Sequence, residues 1–191
     1  FVPLEMPRDQ IYAKVSGREC RIDSEKIIKG ALTDEEHQKI KDFNKEMLDS
    51  KHKLYMLKAS DRIPVKFIKR QIKMHFELFK PKVVVIDYII NLIPDQPRRD
   101  GRNDLEIGDM LKSLRVMGDA MGFAVVSGAQ LGREALRRIR KSGTNSDKQI
   151  LHSEDIRSSH EFAADADNIY AQVLNPADHD ALDIYVVKAR N

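Results

Sequence analysis

Cysteine occurs once in these 191 residues, at Cys20, and tryptophan does not occur at all. A lone thiol forms no internal disulfide, so a disulfide-stapled secreted domain is excluded and a reducing, cytoplasmic setting is the expectation. Long apolar runs are missing too. The longest unbroken aliphatic stretch is Val83 to Ile86, whereas a bilayer-spanning helix needs about 20 such residues. No signal or transit pattern opens the chain. Charge of one sign is not in excess: 33 Lys and Arg stand against 30 Asp and Glu, for a net charge of +3. A protein that coats a polyanion with its whole surface is excluded, and any nucleic-acid site has to be a local basic cluster. Hydrophobic residues make up 41%, which excludes general disorder. The length suits one large domain or two small ones. The first residue is Phe1, inside an apolar segment, and we read the chain as a piece of a longer protein.

Several chemistries lack their residues. There is no His-Glu-x-x-His and no cysteine pair for zinc, and no Gly-x-Ser-x-Gly elbow for a hydrolase serine. A phosphate loop, Gly-x-x-x-x-Gly-Lys-Ser/Thr, is also absent from these residues. That loop and its lysine cradle the phosphates in many nucleotide hydrolases.

What is present alternates between two periodicities. Phe1 to Leu4 reads as the end of a strand. Pro7 fits the first turn of a helix over Arg8 to Val15, with Gly17 as its stop. A short helix over Ser24 to Ile28 ends at Gly30. Thr33 and Glu36 have the spacing of a capping box and start a helix that reaches Leu48. Leu54 to Leu57 is a candidate strand. Pro64 opens a helix with Val65, Ile68, Ile72 and Phe79 on one face. Val83 to Ile86 reads as a central strand buried on both faces. A helix from Asp104 carries Ile107, Met110, Leu111, Leu114 and Met121. Phe123 to Val126 is the next buried strand, and Ile169 to Leu174 and Ala181 to Val187 are a late pair. Strands alternating with helices imply an α/β fold with a mainly parallel sheet. Pro94 to Asn103 and Gly132 to Lys148 are long polar loops, a size that is usually functional.

In open α/β sheets ligands bind beyond the carboxyl ends of the strands, and that rule selects Glu5, Asp87 and Gln130. Four aliphatic residues followed by Asp87 form the second Walker pattern, whose Asp holds the Mg²⁺ of a bound nucleotide. A loop-fixing carboxylate is the competing reading. The next residue is Tyr88 rather than a glutamate, so a catalytic base has to come from another strand, and Glu5 is available. Glu5 equally suits a carboxylate at a helix start. Gln130 is placed either to sense a γ-phosphate or simply to face solvent. Lys188 and Arg190 follow the last strand on alternate residues and so point the same way. They either reach a phosphate or are ordinary solvated charge. Arg133, Arg137, Arg138, Arg140 and Lys141 form a basic cluster opposed only by Glu134. It suits either a phosphate backbone or a solvated face, and without interleaved aromatics it is no base-stacking platform. Arg98, Arg99 and Arg102 are a second, weaker cluster.

The order of these signals carries a resemblance. Leu4-Glu5-Met6, Val85-Ile86-Asp87-Tyr88, Ala129-Gln130-Leu131-Gly132-Arg133, Ser153-Glu154-Asp155-Ile156-Arg157, Asp165-Ala166-Asp167 and Lys188-Ala189-Arg190-Asn191 follow one another along nearly the whole chain. The set resembles the C-terminal RecA-like ATPase domain of DnaB-type replicative DNA helicases. The resemblance implies a three-layer RecA-like P-loop NTPase fold, truncated at its N-terminus, with residues 1–191 forming a single partial motor domain. It implies a ring-shaped homo-hexamer that hydrolyses ATP or another NTP with Mg²⁺ and moves on single-stranded DNA. By the same resemblance Glu5 matches the base that activates water, and Asp87 the carboxylate that positions Mg²⁺. Gln130 matches the residue coupling the γ-phosphate to the DNA loops. Lys188 and Arg190 match a pair inserted into the next subunit's site. Arg157, with Ser158 and His160 after it, lies in the segment that grips DNA, and the cluster from Arg133 to Lys141 sits near it. A primase and a helicase loader are the implied partners, in a bacterium or a phage or mobile element within one, with no membrane.

The departures are specific. Pro3 stands where the family usually has Ser, and Ser158-Ser159-His160 replaces Glu-Ser-Gly. The Gln that the family usually has after Asp-Tyr-Leu is replaced, the run here being Tyr88-Ile89-Ile90-Asn91, and Ala164 precedes Asp165-Ala166-Asp167 where Gln is usual. These mark a divergent member. Without a phosphate loop the 191 residues alone are expected not to hydrolyse ATP. Two other readings stay open: a recombination or clock-type RecA-like ATPase, and a non-catalytic nucleic-acid-binding assembly module.

Overall fold

The computed structural model describes residues 1–51, 53–57, 62–99, 103–130, 132, 137, 164–174 and 182–189. The chain packs as two compact units, one of Phe1–Ile93 with Met121–Ser127, the other of Pro94–Ala120 with Gly128–Asn191.

The first unit is built on a parallel sheet. β1 (Val2–Pro3), β2 (Val83–Asp87) and β3 (Ala124–Ser127) lie in that order. The register pairs Pro3 with Asp87 and Ile86 with Ser127, so all three strands end at one edge. The candidate strand at Leu54 to Leu57 is partly realised. The Phe1 amino group donates to the Tyr55 carbonyl at 2.7 Å, and Leu57 N–H donates to the Phe1 carbonyl at 2.9 Å. These two bonds run on either side of Phe1, the slanted pattern of a parallel pair. α1 (Arg8–Cys20), α2 (Ser24–Lys29), α3 (Asp34–Asp49) and α4 (Val65–Phe79) complete the unit.

Local signals set most helix ends. Asp23 caps α2 by accepting from Glu25 N–H, and Gly30 closes it at φ 67°. The Thr33/Glu36 capping box is formed in both directions. Gly17 does not stop α1, which runs on to Cys20 and ends at Arg21 in the left-handed region. The reason for glycine there is contact: a Cβ on Gly17 would lie 2.7 Å from the Ile22 carbonyl oxygen. α4 buries Val65, Ile68 and Ile72, and its Phe79 stacks on Tyr55 with ring centroids 4.3 Å apart.

Burial in the sheet differs from the expectation of strands covered on both faces. In β2, Val84 and Ile86 are buried while Val83 is half exposed. In β3 no residue is buried, and Val126 is 49% exposed. Among the described residues β3 pairs only with β2.

The second unit contains α5 (Asn103–Met121) as far as Ala120, and an antiparallel pair, β4 (Asn168–Leu174) and β5 (Leu182–Ala189). α5 buries Ile107, Met110, Leu114 and Met117 at helical spacing. The pair alternates sides. Tyr170 opposes Val186, Gln172 opposes Ile184 and Leu174 opposes Leu182. The five apolar members of that row are each more than half exposed, whereas Ile169 on the other side is buried. No helix among the described residues is long and apolar enough to cross a membrane.

Candidate functional site

Parallel pairing brings two carboxylates to one edge. β1 ends at Pro3 opposite Asp87, and the Asp87 carbonyl accepts from both Leu4 N–H (2.9 Å) and Glu5 N–H (3.2 Å). Glu5 is thereby tied by its own backbone to the residue whose side chain it neighbours. Pro7, next along, begins α1: its carbonyl accepts from Gln10 and Ile11, and its missing N–H is no loss at a helix start.

The electrostatics follow from this closeness. Burial pushes the Asp87 carboxyl pKa up, the Glu5 charge adds to the effect, and Lys14 on α1 opposes it. The Tyr88 phenol is also pushed up, first by its hydrogen bond to the Glu5 carboxylate, then by burial and by the charges of Glu5 and Asp87. The upward shift keeps the Tyr88 phenol in its protonated form beside Glu5. The Asp87–Tyr88 peptide is cis. Ser127, at the end of β3, spans this corner. Its hydroxyl donates to the Ile86 carbonyl at 2.8 Å and accepts from Ile89 N–H at 3.0 Å, which fixes backbone on both sides of Asp87 and Tyr88.

Asp87 and Glu5 are hard oxygen donors short of positive charge, which fits a magnesium ion. Magnesium is commonly held by one or two carboxylates together with substrate phosphates rather than by an all-protein cage. No group of three or more His, Cys, Asp or Glu able to hold a metal occurs among the described residues.

The remaining candidates distribute as follows. Gln130 lies three residues past β3 and is exposed, in the second unit. Lys188 does not follow the last strand but lies inside β5, where backbone pairing with β4 carries the strand on to Ala189. Its Nζ donates to the Ala164 carbonyl of its own chain at 3.1 Å. Of the basic cluster Arg137 is described, and it is exposed. Arg133, Arg138, Arg140, Lys141, Arg157, Ser158, His160 and Arg190 lie outside the described residues. The weaker cluster is partly neutralised: Arg98 Nη1 lies 3.7 Å from Asp109 Oδ2 on α5.

Sequence reasoning passed over Tyr88, Ser127 and Lys14. Ser127 carried a signal, since it is the polar residue directly after an apolar run. Tyr88 was visible only as the absence of a glutamate. Lys14 carried none, because only the fold brings α1 to the strand edge.

The family model "DnaB-like helicase C terminal domain" matches residues 1–191. The chain belongs to that family. A replicative DNA helicase DnaB of Haemophilus influenzae is 28% identical over 195 residues, covering 98% of this chain and 39% of that protein. A probable plasmid replicative DNA helicase of Chlamydia muridarum is 27% identical over 169 residues, covering 88% and 34% respectively. The chain thus spans well under half of these relatives. Among solved structures, an ATPase domain superposes with TM-score 0.79 at 18% identity, covering all of this chain and 66% of that one. A DnaB-like replicative helicase, described with its interactions with primase, gives 0.77 at 18% identity over all of this chain and 45% of that one. These likenesses establish the RecA-like ATPase fold for this DnaB-family chain.

An amide at position 87 separates fold from function. Because the folded-state pKa of Asp87 is raised, its ionised form is disfavoured by folding at neutral pH, and that penalty fades as pH falls through its raised folded-state pKa toward the ordinary carboxylate value. Asp87→Asn should therefore raise the melting temperature of the metal-free protein at pH 7, with the difference closing near pH 4. A lower melting temperature for the variant at pH 7 would contradict the assignment of burial as the leading cause.

Proposed function

We propose that this chain is the larger part of the motor domain of an ATP-driven DNA helicase, coupling nucleotide hydrolysis to movement along single-stranded DNA and duplex unwinding. The observation that carries the reading is the Glu5–Asp87 pair at the carboxyl edge of a parallel sheet, with Leu4 and Glu5 both bonded to the Asp87 carbonyl. Glu5 is exposed and takes the proton of the attacking water as general base. Tyr88 orients Glu5. Asp87 would hold Mg²⁺, which when bound neutralises charge on the phosphoryl group being transferred. Gln130 carries the state of the γ-phosphate toward the DNA segment.

The working form in this reading is a homo-hexamer in the cytoplasm of a bacterium, or of a bacterium carrying a phage or mobile element. Lys188 and Arg190 serve the neighbouring subunit's nucleotide. Arg157, Ser158 and His160 contact DNA, with Arg133, Arg137, Arg138, Arg140 and Lys141 supplying positive charge nearby. Primase and a loader are the expected partners. The phosphate-cradling loop is not among these 191 residues, so the test belongs to the intact protein. ATP hydrolysis is measured with and without single-stranded DNA, followed by strand separation. Hydrolysis stimulated by DNA is the expected result; a folded intact protein with no hydrolysis in either condition would overturn the reading in favour of a non-catalytic binding module.

A further inference from the structure

We propose that α4 presents a docking surface for a second protein, whose matching element is an amphipathic helix with carboxylates flanking its apolar stripe. The proposal needs nothing from the nucleotide site. α4 carries three rows of side chains. Val65, Ile68 and Ile72 are buried in the first unit, and Phe76 and Phe79 anchor the helix further through ring contacts with Phe123 and Tyr55. The second row is basic. Lys66, Lys69, Arg70 and Lys73 fall at i, i+3, i+4 and i+7 and so share one face, with Glu77 the single acid of the helix. Arg70 and Lys73 are exposed and Lys69 is half-buried, and none of these three forms an ion pair with a described residue. The third row is apolar and open. Phe67, Met74 and Leu78, each one position beyond Lys66, Lys73 and Glu77, are 39%, 61% and 75% exposed. They span three turns, about 16 Å of helix.

The two open rows together select the occupant. A helix on a protein surface turns polar residues to water opposite its buried stripe. A basic row alone obeys that rule and is ordinary solvated charge. The apolar row beside it does not, because water gives Met74 and Leu78 no favourable partner. A phosphate backbone would neutralise the cations and leave the apolar row wet, since contacts to phosphate are polar and charged. A helix with apolar residues at i, i+3, i+4 and i+7 covers Phe67, Met74 and Leu78 by packing ridges into grooves. Carboxylates one position along from that stripe then face Arg70 and Lys73. Met74 is unbranched and adapts its shape to what packs on it. The charges add orientation and choice of partner more than affinity, and the buried row holds α4 rigid, so little ordering cost falls on this side of the contact.

The test uses the intact protein and two fluorescein-labelled helical peptides of about 18 residues, five turns. One has leucine along one face with glutamate beside it; the other has lysine in place of glutamate. Binding is followed by anisotropy, alongside melting temperature. The parent should bind the glutamate peptide about tenfold more tightly than the lysine peptide. Met74→Ser/Leu78→Ser should weaken glutamate-peptide binding by about tenfold, the scale of truncated interface anchors. Its melting temperature should hold, since both side chains are exposed. Arg70→Glu/Lys73→Glu should reverse the preference and favour the lysine peptide. Ile184→Ser, on the outer row of the β4–β5 pair, should leave binding unchanged, which separates α4 from that other open apolar surface. No saturable binding to the folded intact protein, or binding untouched by both α4 variants, would overturn the proposal. So would a single-stranded oligonucleotide that loses affinity in Arg70→Glu/Lys73→Glu while the peptide preference stays as it was, an outcome that makes the basic row a nucleic-acid contact.

Discussion

Glu5→Gln in the intact protein should lower ATP turnover by about 10²- to 10⁴-fold, the usual contribution of a positioned general base, with nucleotide affinity kept. The amide is isosteric and still accepts a hydrogen bond from Tyr88, so the corner formed by Leu4, Glu5 and the Asp87 carbonyl stays built. It lacks only the charge that takes up a proton. Removing that charge also relieves Asp87, whose carboxyl is pushed up partly by Glu5. Nucleotide binding measured with magnesium should therefore be retained while steady-state turnover collapses. Turnover within twofold of the parent would remove Glu5 as the base and direct attention to another carboxylate.

The second large effect is on stability. Ile86 is fully buried in β2, between Val2 on β1 and Ser127 on β3. Truncating a buried isoleucine to alanine costs about 2–5 kcal/mol, through lost transfer energy and the cavity left behind. For a chain of this size each kcal/mol moves the melting temperature by roughly 2–4 °C, so Ile86→Ala should melt on the order of 10 °C lower. Val126→Ala, one strand away and 49% exposed, should shift it by about a degree or two, since exposed substitutions stay near ±0.5 kcal/mol. Equal shifts for the two would mean that the burial contrast between β2 and β3 does not hold in solution.

What could be seen in the sequence was what is local. The Thr33/Glu36 capping box, the Gly30 stop and the apolar stripe of α4 are each decided within a turn or two of helix, and each is present. The Glu5–Asp87 edge was legible because parallel strands place their ends together whatever lies between them. Gly17 was misread because its reason lies across a turn, in the approach of the Ile22 carbonyl, and glycine spacing alone does not separate a helix stop from a close contact. The burial of Val83 and Val126 was overestimated because aliphatic content reports what a strand can tolerate, and only its neighbours decide what covers it. The ion pair of Arg115 with Asp167 in the second unit, 2.9 Å long, gave no signal at all: a basic residue on a long helix is ordinary until an aspartate 52 residues later in sequence is found beside it.

The outer row of the β4–β5 hairpin governs how these 191 residues behave in a tube. Tyr170, Leu174, Leu182, Ile184 and Val186 form one open apolar strip, and contiguous strips of this kind make proteins adhesive. Prepared by itself, the chain should be retained on phenyl resin and grow in hydrodynamic radius as it is concentrated. Added salt should sharpen both effects, because kosmotropes strengthen apolar association as they screen the charges that keep molecules apart. A single acidic replacement at Ile184, in the middle of the strip, is the smallest change that would make the piece well behaved.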